Sequence, residues 1–575
     1  MSVYDEKPWL HSYDPGIAPE LNIPNETYVD LMERAMKSHP DIAAFHFLGS
    51  TFSFKEFDRY SMRFAAYLRE RGCGPGDVVG INLPNTPQYL IALAGALRAG
   101  CTASGVSPLL TPKEMANQLN DSGAKSLVVM DAIYERRVQK IKDDIPALKY
   151  ILTTGIADFL PSYKRFLGKR LKKIPSGKIE PIAGKEVISF KEIVSREGPD
   201  IQRVMVAVDD PCLIQYTGGT TGTPKGAVLT HRNIVTNIMQ AVTWFDITMG
   251  GGAACSGFPF FHQAGLYFGM TTMAMAYTQC LIPDPRNTGH VCKEIAAHRP
   301  RIMLHVPSLY QMLMEDPAFS KLDFSGCDVC ISGAAPFSKE GIASLESIVG
   351  KGKVVEIYGM TEASPLITMN PFKGKKKIGS VGIPLQNTIV KLVDVETGVG
   401  EVAIGDEGEI IVRGPQIMKE YHNKPKETAM TIRELGNENW LYTGDVGKMD
   451  KDGYFYIVDR TKDMLIVGGF KVFSREVEEV LCQHRDVEIC AIIGMPNPDR
   501  PDSQIVKAVI QLSKNAGVRQ AEEIKKGILD YCRENLASYK VPKEIDFTRS
   551  IPLTPVGKVD KKALRVQHSE TSESA

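Results

Sequence analysis

The feature that most restricts the fold is a repeated pairing: a short apolar run, then a stretch of helical periodicity, over roughly the first two thirds of the chain. DVVGINL (77–83), a helical stretch around 90–97 and SLVVM (126–130) begin it, and CLIQY (212–216), RIMLHV (301–306) and VVEIYG (354–359) continue it. Alternation of this kind builds mostly parallel, doubly wound sheets covered by helices. Upstream, Ser53 and Glu56 form a capping box, Phe57, Tyr60, Phe64 and Leu68 recur at helical spacing, and Gly72 stops the helix. From 389 to 413 the texture changes to alternating strands broken by TGVG and GDEG, which predicts antiparallel hairpins. Near Asp459 it changes again: a Glu-rich helix (475–481), strands at 489–493 and 505–512, and a helix at 521–536 predict a small α+β domain of roughly a hundred residues. The polar ending HSETSESA reads as a disordered tail.

Composition narrows the class. With 575 residues, 43% hydrophobic and 24% charged, the chain is an ordinary globular protein of two or three domains, not a collagen-like or low-complexity one. Lys+Arg 68 balances Asp+Glu 68, so no global field draws it to nucleic acid. Its 11 cysteines lack regular spacing, as reduced cytoplasmic thiols do. Cys327 and Cys330 sit in an apolar strand pattern with no second pair, and read as core residues rather than a metal site. The first residues carry acids and prolines without an apolar run, so no signal peptide is expected, and no apolar stretch is long enough to span a membrane.

The strongest local signal is YTGGTTGTPKG (216–226). Gly218, Gly219 and Gly222 let main-chain N–H groups turn toward an anion, Thr217, Thr220, Thr221 and Thr223 add hydroxyls, and Lys225 adds charge. The loop, placed between CLIQY and a helix starting near His231, suits phosphates. It lacks the Walker A spacing, because Pro224 precedes Lys225 and Gly226 follows it. GVGEVA (398–403) imitates a dinucleotide fingerprint but lies among hairpin strands, so NAD binding is rejected.

At this loop the chain resembles the adenylate-forming superfamily of acyl-CoA synthetases, peptide-synthetase adenylation domains and luciferase, and most closely the bacterial fatty acid–CoA ligases. The resemblance runs from about Ser53 to Arg565 in the family's order: YTGGTTGTPKG, PFFHQAG (259–265), SGAAP (332–336), YGMTE (358–362), WLYTGD (440–445), DRTKDMLIVGGFKV (459–472) and PLTPVGK (552–558). It implies a large N-terminal α/β region (1–458) of several sheets with a small barrel-like β part, a mobile C-terminal α+β domain (459–566) and a disordered tail (567–575). It implies ATP, Mg2+ and CoA: the acid is coupled to AMP, and a thiol then displaces AMP.

The resemblance assigns roles. Thr217 and Glu362 would hold Mg2+, the loop from Thr217 to Lys225 the departing phosphates, and Thr361 the α-phosphate, with Lys558 as catalytic cation. Tyr358 would stack on adenine beside the turn of Gly333, Ala334 and Ala335 and Gly359, while Asp445 and Arg460 would take the ribose hydroxyls. His262, Gly265, Gly333, Ile357 and Gly359 would border the acyl group, Lys462 would be the hinge, and Gly468 and Gly469 would leave room for pantetheine. The pattern typical of long-chain ligases has Gly before the YGMTE tyrosine; here Ile357 fills that place, which leaves aliphatic and aromatic acids both open.

YKRFLGKRLKKI (163–174) is basic and amphipathic, with Tyr163, Phe166, Leu167, Leu171 and Ile174 on one helical face; it reads either as a helix docked on the body or as a peripheral contact with anionic membrane. The expectation is a cytoplasmic ATP-dependent acyl-CoA ligase, its oligomeric state left open, acting on a hydrophobic acid, with medium- to long-chain fatty acids favoured. The alternatives are an aromatic acid–CoA ligase, an acyl-AMP ligase feeding a carrier protein, and a nucleotide-binding regulator without turnover.

Overall fold

The computed structural model describes residues 3–170, 175–197, 201–217, 224–468, 470–498, 500, 503–513, 516–517, 519–554 and 559–572. Two large sheets dominate. An eight-stranded sheet runs in the order Glu420–Tyr421, Lys225–Thr230, Pro211–Thr217, Thr102–Gly105, Val78–Asn82, Ala124–Met130, Tyr150–Thr154 and Glu186–Ser189. A nine-stranded sheet has Val354–Gly359, Val329–Ser332, Ile302–His305, Ala253–Ser256 and Thr278–Leu281 as its parallel centre.

Side-chain parity explains the layering. In the nine-stranded sheet, Leu304, Ile331 and Val355 join the core shared with the other sheet, whereas Met303, Cys330 and Val354 face the helices Thr288–His298, Pro307–Glu315 and Lys339–Val349. A strand buried on both faces has to be apolar on both, which is why these runs do not alternate. Helix Pro87–Arg98, whose every residue is buried, packs within the shared core with His231–Trp244 and Gln263–Ala274. Its lack of a polar face suits that place. The capping box at Ser53 is present, with the Glu56 N–H donating to Ser53 Oγ and Ser53 N–H to Glu56 Oε2.

The smaller all-β part is a five-stranded antiparallel sheet in which the long strand Glu438–Met449 pairs with Gly408–Arg413, Ile432–Leu435 and Phe455–Arg460. The pairs Asp445–Arg460 and Val446–Asp459 carry this sheet past the expected boundary at 458. Beyond it come the hairpin Leu465–Val467 and Phe470–Val472, then a three-stranded sheet (Val487–Pro496, Gln504–Leu512, Glu544–Thr548) with helices Ser474–Cys482, Ala521–Asn535 and Lys561–Ser572.

The helix expected near His231 is present as His231–Trp244; between CLIQY and this helix, strand Lys225–Thr230 returns antiparallel to Pro211–Thr217. One expectation is corrected. The end of the chain is not wholly irregular, because the final helix continues to Ser572; Leu564 is buried, Arg565 pairs with Asp463 at 2.6 Å, and His568 approaches Asp546 at 3.2 Å. Helix Ser162–Arg170 covers the first part of the span expected from sequence, and 171–174 lie outside the described residues. It is tied to the body by Lys164 Nζ donating to the Leu48 carbonyl at 2.8 Å, while Tyr163 and Phe166 remain 61% and 65% exposed. Cys327 and Cys330 are buried free thiols, 3.8 Å apart. Among the described residues no helix is long and apolar enough to cross a membrane.

Candidate active site

Strand Val354–Gly359 ends at a cavity of about 660 Å3, at the carboxyl edge of the parallel strands where open α/β sheets place ligands. Its last residues, Ile357 and Gly359, line the cavity, followed by Met360, Thr361 and Glu362. Gly359 has a packing reason of its own: a Cβ there would collide with the Pro365 carbonyl, where Leu366–Met369 doubles back on the strand. The other walls come from Thr217 and Lys225, a cross-strand pair, from Tyr421, and from Thr443, Asp445, Arg460 and Lys462 of the antiparallel sheet and its exit. Thus segments far apart in sequence meet around one space.

Two polar groupings border it. In one, Tyr358, which is not itself part of the lining, donates from Oη to Asp445 Oδ2 at 2.7 Å, and Arg460 Nε lies 3.2 Å from Asp445 Oδ1. Burial and the Asp445 carboxylate hold the Tyr358 phenol well above its ordinary range. In the other, Glu362, only 6% exposed, accepts from Tyr421 Oη at 2.5 Å, and Lys225 Nζ lies 4.8 Å from the centroid of the Tyr421 ring. Burial raises the Glu362 carboxyl, opposed by the hydrogen bond from Tyr421. The Glu362 carboxylate, with one oxygen taken by Tyr421, and the Thr217 hydroxyl line the same cavity; oxygen donors of this kind, with a charge to compensate, fit Mg2+. Lys462 lines the wall, its amine pushed down by burial and by neighbouring Arg460.

His262 caps the helix Gln263–Ala274, its Nδ1 accepting from the Ala264 N–H at 3.3 Å, and lines the cavity. Ala334 lines it with φ of 66°. Gly333 and Ala335 stand outside the lining: Gly333 lies under Ile357, whose Cγ1 would be 2.6 Å from a Cβ added there. Gly265 does not reach the lining either, since its missing Cβ faces the Phe258 and Pro259 carbonyls. Gly468, at φ 58°, turns the hairpin Leu465–Val467 and Phe470–Val472 and is not part of the lining. The same hairpin touches the rim through Lys471, 3.1 Å from Glu396. Gly218, Gly219, Thr220, Thr221 and Gly222, with Gly469 and Lys558, lie outside the described residues.

Tyr421 is the residue that sequence reasoning missed. It stands in EYHNKP, a turn-like stretch without catalytic spacing, 59 residues from Glu362; only the pairing of Glu420–Tyr421 with Lys225–Thr230 brings it in.

The family models for the AMP-binding enzyme and for its C-terminal domain match residues 32–422 and 476–558. A long-chain-fatty-acid–CoA ligase of Bacillus subtilis (strain 168) is 35% identical over 98% of this chain and 99% of its own. A feruloyl-CoA synthase of an Amycolatopsis species is 31% identical over 92% and 97%. A crystal structure of an anthranilate CoA ligase with anthranoyl-AMP superposes with a TM-score of 0.82 at 24% identity, covering 96% of this chain and 99% of that one, and shares the fold. The chain therefore belongs to the AMP-binding enzyme family and is an AMP-forming acid–thiol ligase, most like the fatty acid–CoA ligases.

Proposed function

We propose that the protein couples a hydrophobic carboxylic acid, preferentially a medium- to long-chain fatty acid, to CoA through an acyl-adenylate, releasing pyrophosphate and AMP. The observation that supports this most is that Asp445 and Arg460, held by Tyr358, line one cavity together with Thr217, Lys225, Glu362, His262 and Ile357. In this reading Tyr358 supports the adenine, Asp445 and Arg460 take the ribose hydroxyls, and the loop 217–225 receives the departing phosphates. Thr361 contacts the α-phosphate, His262 orients the acid, and Lys558 supplies charge where the transition state gathers it. Thr217 and Glu362 would hold Mg2+, which when bound neutralises phosphate charge. The acid, as its carboxylate, attacks the α-phosphorus in line with the departing pyrophosphate. The mixed anhydride that results has AMP as a competent leaving group for a thiol. In this reading the protein works in the cytoplasm, where ATP and CoA are available as free cosubstrates.

An aromatic acid is the second reading, because Ile357 occupies the space above Gly333 and shortens the site on that side. Acid-dependent exchange of labelled pyrophosphate into ATP, measured over a panel of fatty and aromatic acids, tests both. Fatty acids of eight or more carbons should give the largest specificity constants, aromatic preference would select the second reading, and no exchange with any acid would sink adenylation. Free CoA as thiol acceptor then distinguishes a CoA ligase from a carrier-protein ligase.

The fatty-acid reading extends to the surface. Residues 159–179 hold seven Lys or Arg and no Asp or Glu, and helix Ser162–Arg170 exposes Tyr163 and Phe166. Aromatic rings flanked by cations suit an anionic bilayer, the phase in which a long acid resides. Sedimentation with phosphatidylglycerol vesicles, but not phosphatidylcholine vesicles, should be lost on Phe166→Asp; equal binding to both would refute the contact.

A further inference from the structure

Tyr421 holds two charged groups at once. Its hydroxyl donates to Glu362 Oε1 and its ring faces Lys225 Nζ, yet among the described residues no ion pair joins Lys225 to Glu362. The side chain is 4% exposed, and its backbone is held on several sides: Tyr421 pairs with Ala227, its N–H donates to Thr428 Oγ1 at 2.9 Å, and the His422 N–H donates to the Gly226 carbonyl at 2.8 Å. The same segment grips the Glu362 backbone, because the Met418 N–H donates to the Glu362 carbonyl at 2.7 Å. Glu362 is thus fixed at main chain and side chain by one short stretch, 418–421.

Opposite charges in a partly dehydrated cavity attract strongly. Without a spacer, the flexible lysine stem would let the ammonium settle on the Glu362 carboxylate, and each would then be unavailable to a third group. A tyrosine answers both needs: its hydroxyl saturates one carboxylate oxygen and its π face offers the ammonium an alternative seat. We infer that Tyr421 is a positioning residue that fixes Glu362 so that Oε2 is presented to a divalent cation, and that keeps Lys225 apart from Glu362 and available to phosphate. This rests on the nucleotide reading of the cavity given above.

Two substitutions separate the two tasks. Tyr421→Phe deletes only the hydroxyl, while Tyr421→Leu deletes the ring as well. Calorimetric titration of ATP, with EDTA and at graded Mg2+, reads binding without turnover; pyrophosphate exchange at graded Mg2+ reads the reaction. For Tyr421→Phe the half-saturating Mg2+ should rise on the order of tenfold, the range found when a partner that orients a metal ligand is lost. ATP binding in EDTA should be unchanged, and excess Mg2+ should restore the exchange rate. For Tyr421→Leu ATP binding in EDTA should also weaken. Adding Tyr421→Phe to Glu362→Gln should change the Mg2+ dependence no further. An unshifted Mg2+ requirement in Tyr421→Phe, or a loss that excess Mg2+ does not restore, would overturn the inference. A wild-type protein that binds MgATP but shows no acid-dependent exchange would overturn adenylation instead, and the calorimetric arm would still decide the role of Tyr421.

Discussion

At Ile357 a single side chain sets a dimension of the site. Its Cγ1 lies over the Cα of Gly333, so removing the side chain opens the space above that glycine without moving the strand. Ile357→Gly should shift preference toward longer acids, by at most about 0.8 kcal/mol per additional methylene buried; specificity constants across the acid panel measure it. In the proposed mechanism Lys558 serves the first half-reaction. Lys558→Ala should lower adenylation on the order of a hundredfold or more, because it removes charge aimed at the transition state. Thioester formation from supplied acyl-adenylate should survive better, and equal loss in both half-reactions would reject the assignment. The place of Asp445 in the site is physically less obvious from sequence, where it follows a Gly444 turn; Arg460 is its partner across one strand pair, and the Tyr358 contact exists only after two sheets meet.

Among the elements, helix Gln263–Ala274 shows how packing serves chemistry at one remove. Gly265 was expected at the acyl group; it lies outside the cavity lining, and its missing Cβ lets this helix, capped by His262, close on the Phe258–Pro259 backbone. Gly265→Ala should cost about 1–3 kcal/mol of stability through overpacking. It should also raise KM for the acid more than KM for ATP, a split that a purely global loss of stability would not produce. Element existence was largely legible, since the apolar runs at 77–83, 126–130 and 354–359 all lie on strands and the Ser53 cap begins a helix. The strand Lys225–Thr230 was not, because a β segment that follows a glycine-rich loop and ends at a helix cap has too short an apolar run to announce its period.

For the molecule as a whole, adenylation and thiol transfer place different demands on the same cavity, whose wall includes Lys462 at the exit from the antiparallel sheet. Lys462→Pro should leave adenylate formation in place and slow thioester formation, because a fixed φ limits rotation at that point; single-turnover assays of each half-reaction would show it, and normal transfer with failed adenylation would put the pivot elsewhere. Stability should also depend on acid. Burial pushes the His46 and His231 imidazoles down to about 4 and His305 down to about 3. Between these values and the ordinary 6.5 the unfolded chain binds more protons than the folded one, so stability falls as pH falls through that window. Glu356 opposes this: burial raises its carboxyl to about 7, so from about 4.5 to 7 the folded state binds the extra proton and lowering pH stabilises it. Thermal melts from pH 7 to pH 5 should therefore fall, and fall more steeply in Glu356→Gln.

The sequence by itself determined the local chemistry: which runs are apolar enough to be strands, where helices are capped, and which ordered motifs mark an AMP-binding enzyme. These depend on residues within a few positions of one another, or on motif identity, and so survive without coordinates. Only the tertiary structure decided that Tyr421 contacts both Glu362 and Lys225, that Ile357 rather than Gly333 faces the cavity, and that Gly265 packs on the Phe258–Pro259 backbone. Each of these is a contact across two sheets or across a helix and a distant loop. Such contacts follow from the register and parity of burial over the whole core, and no window of sequence contains that information.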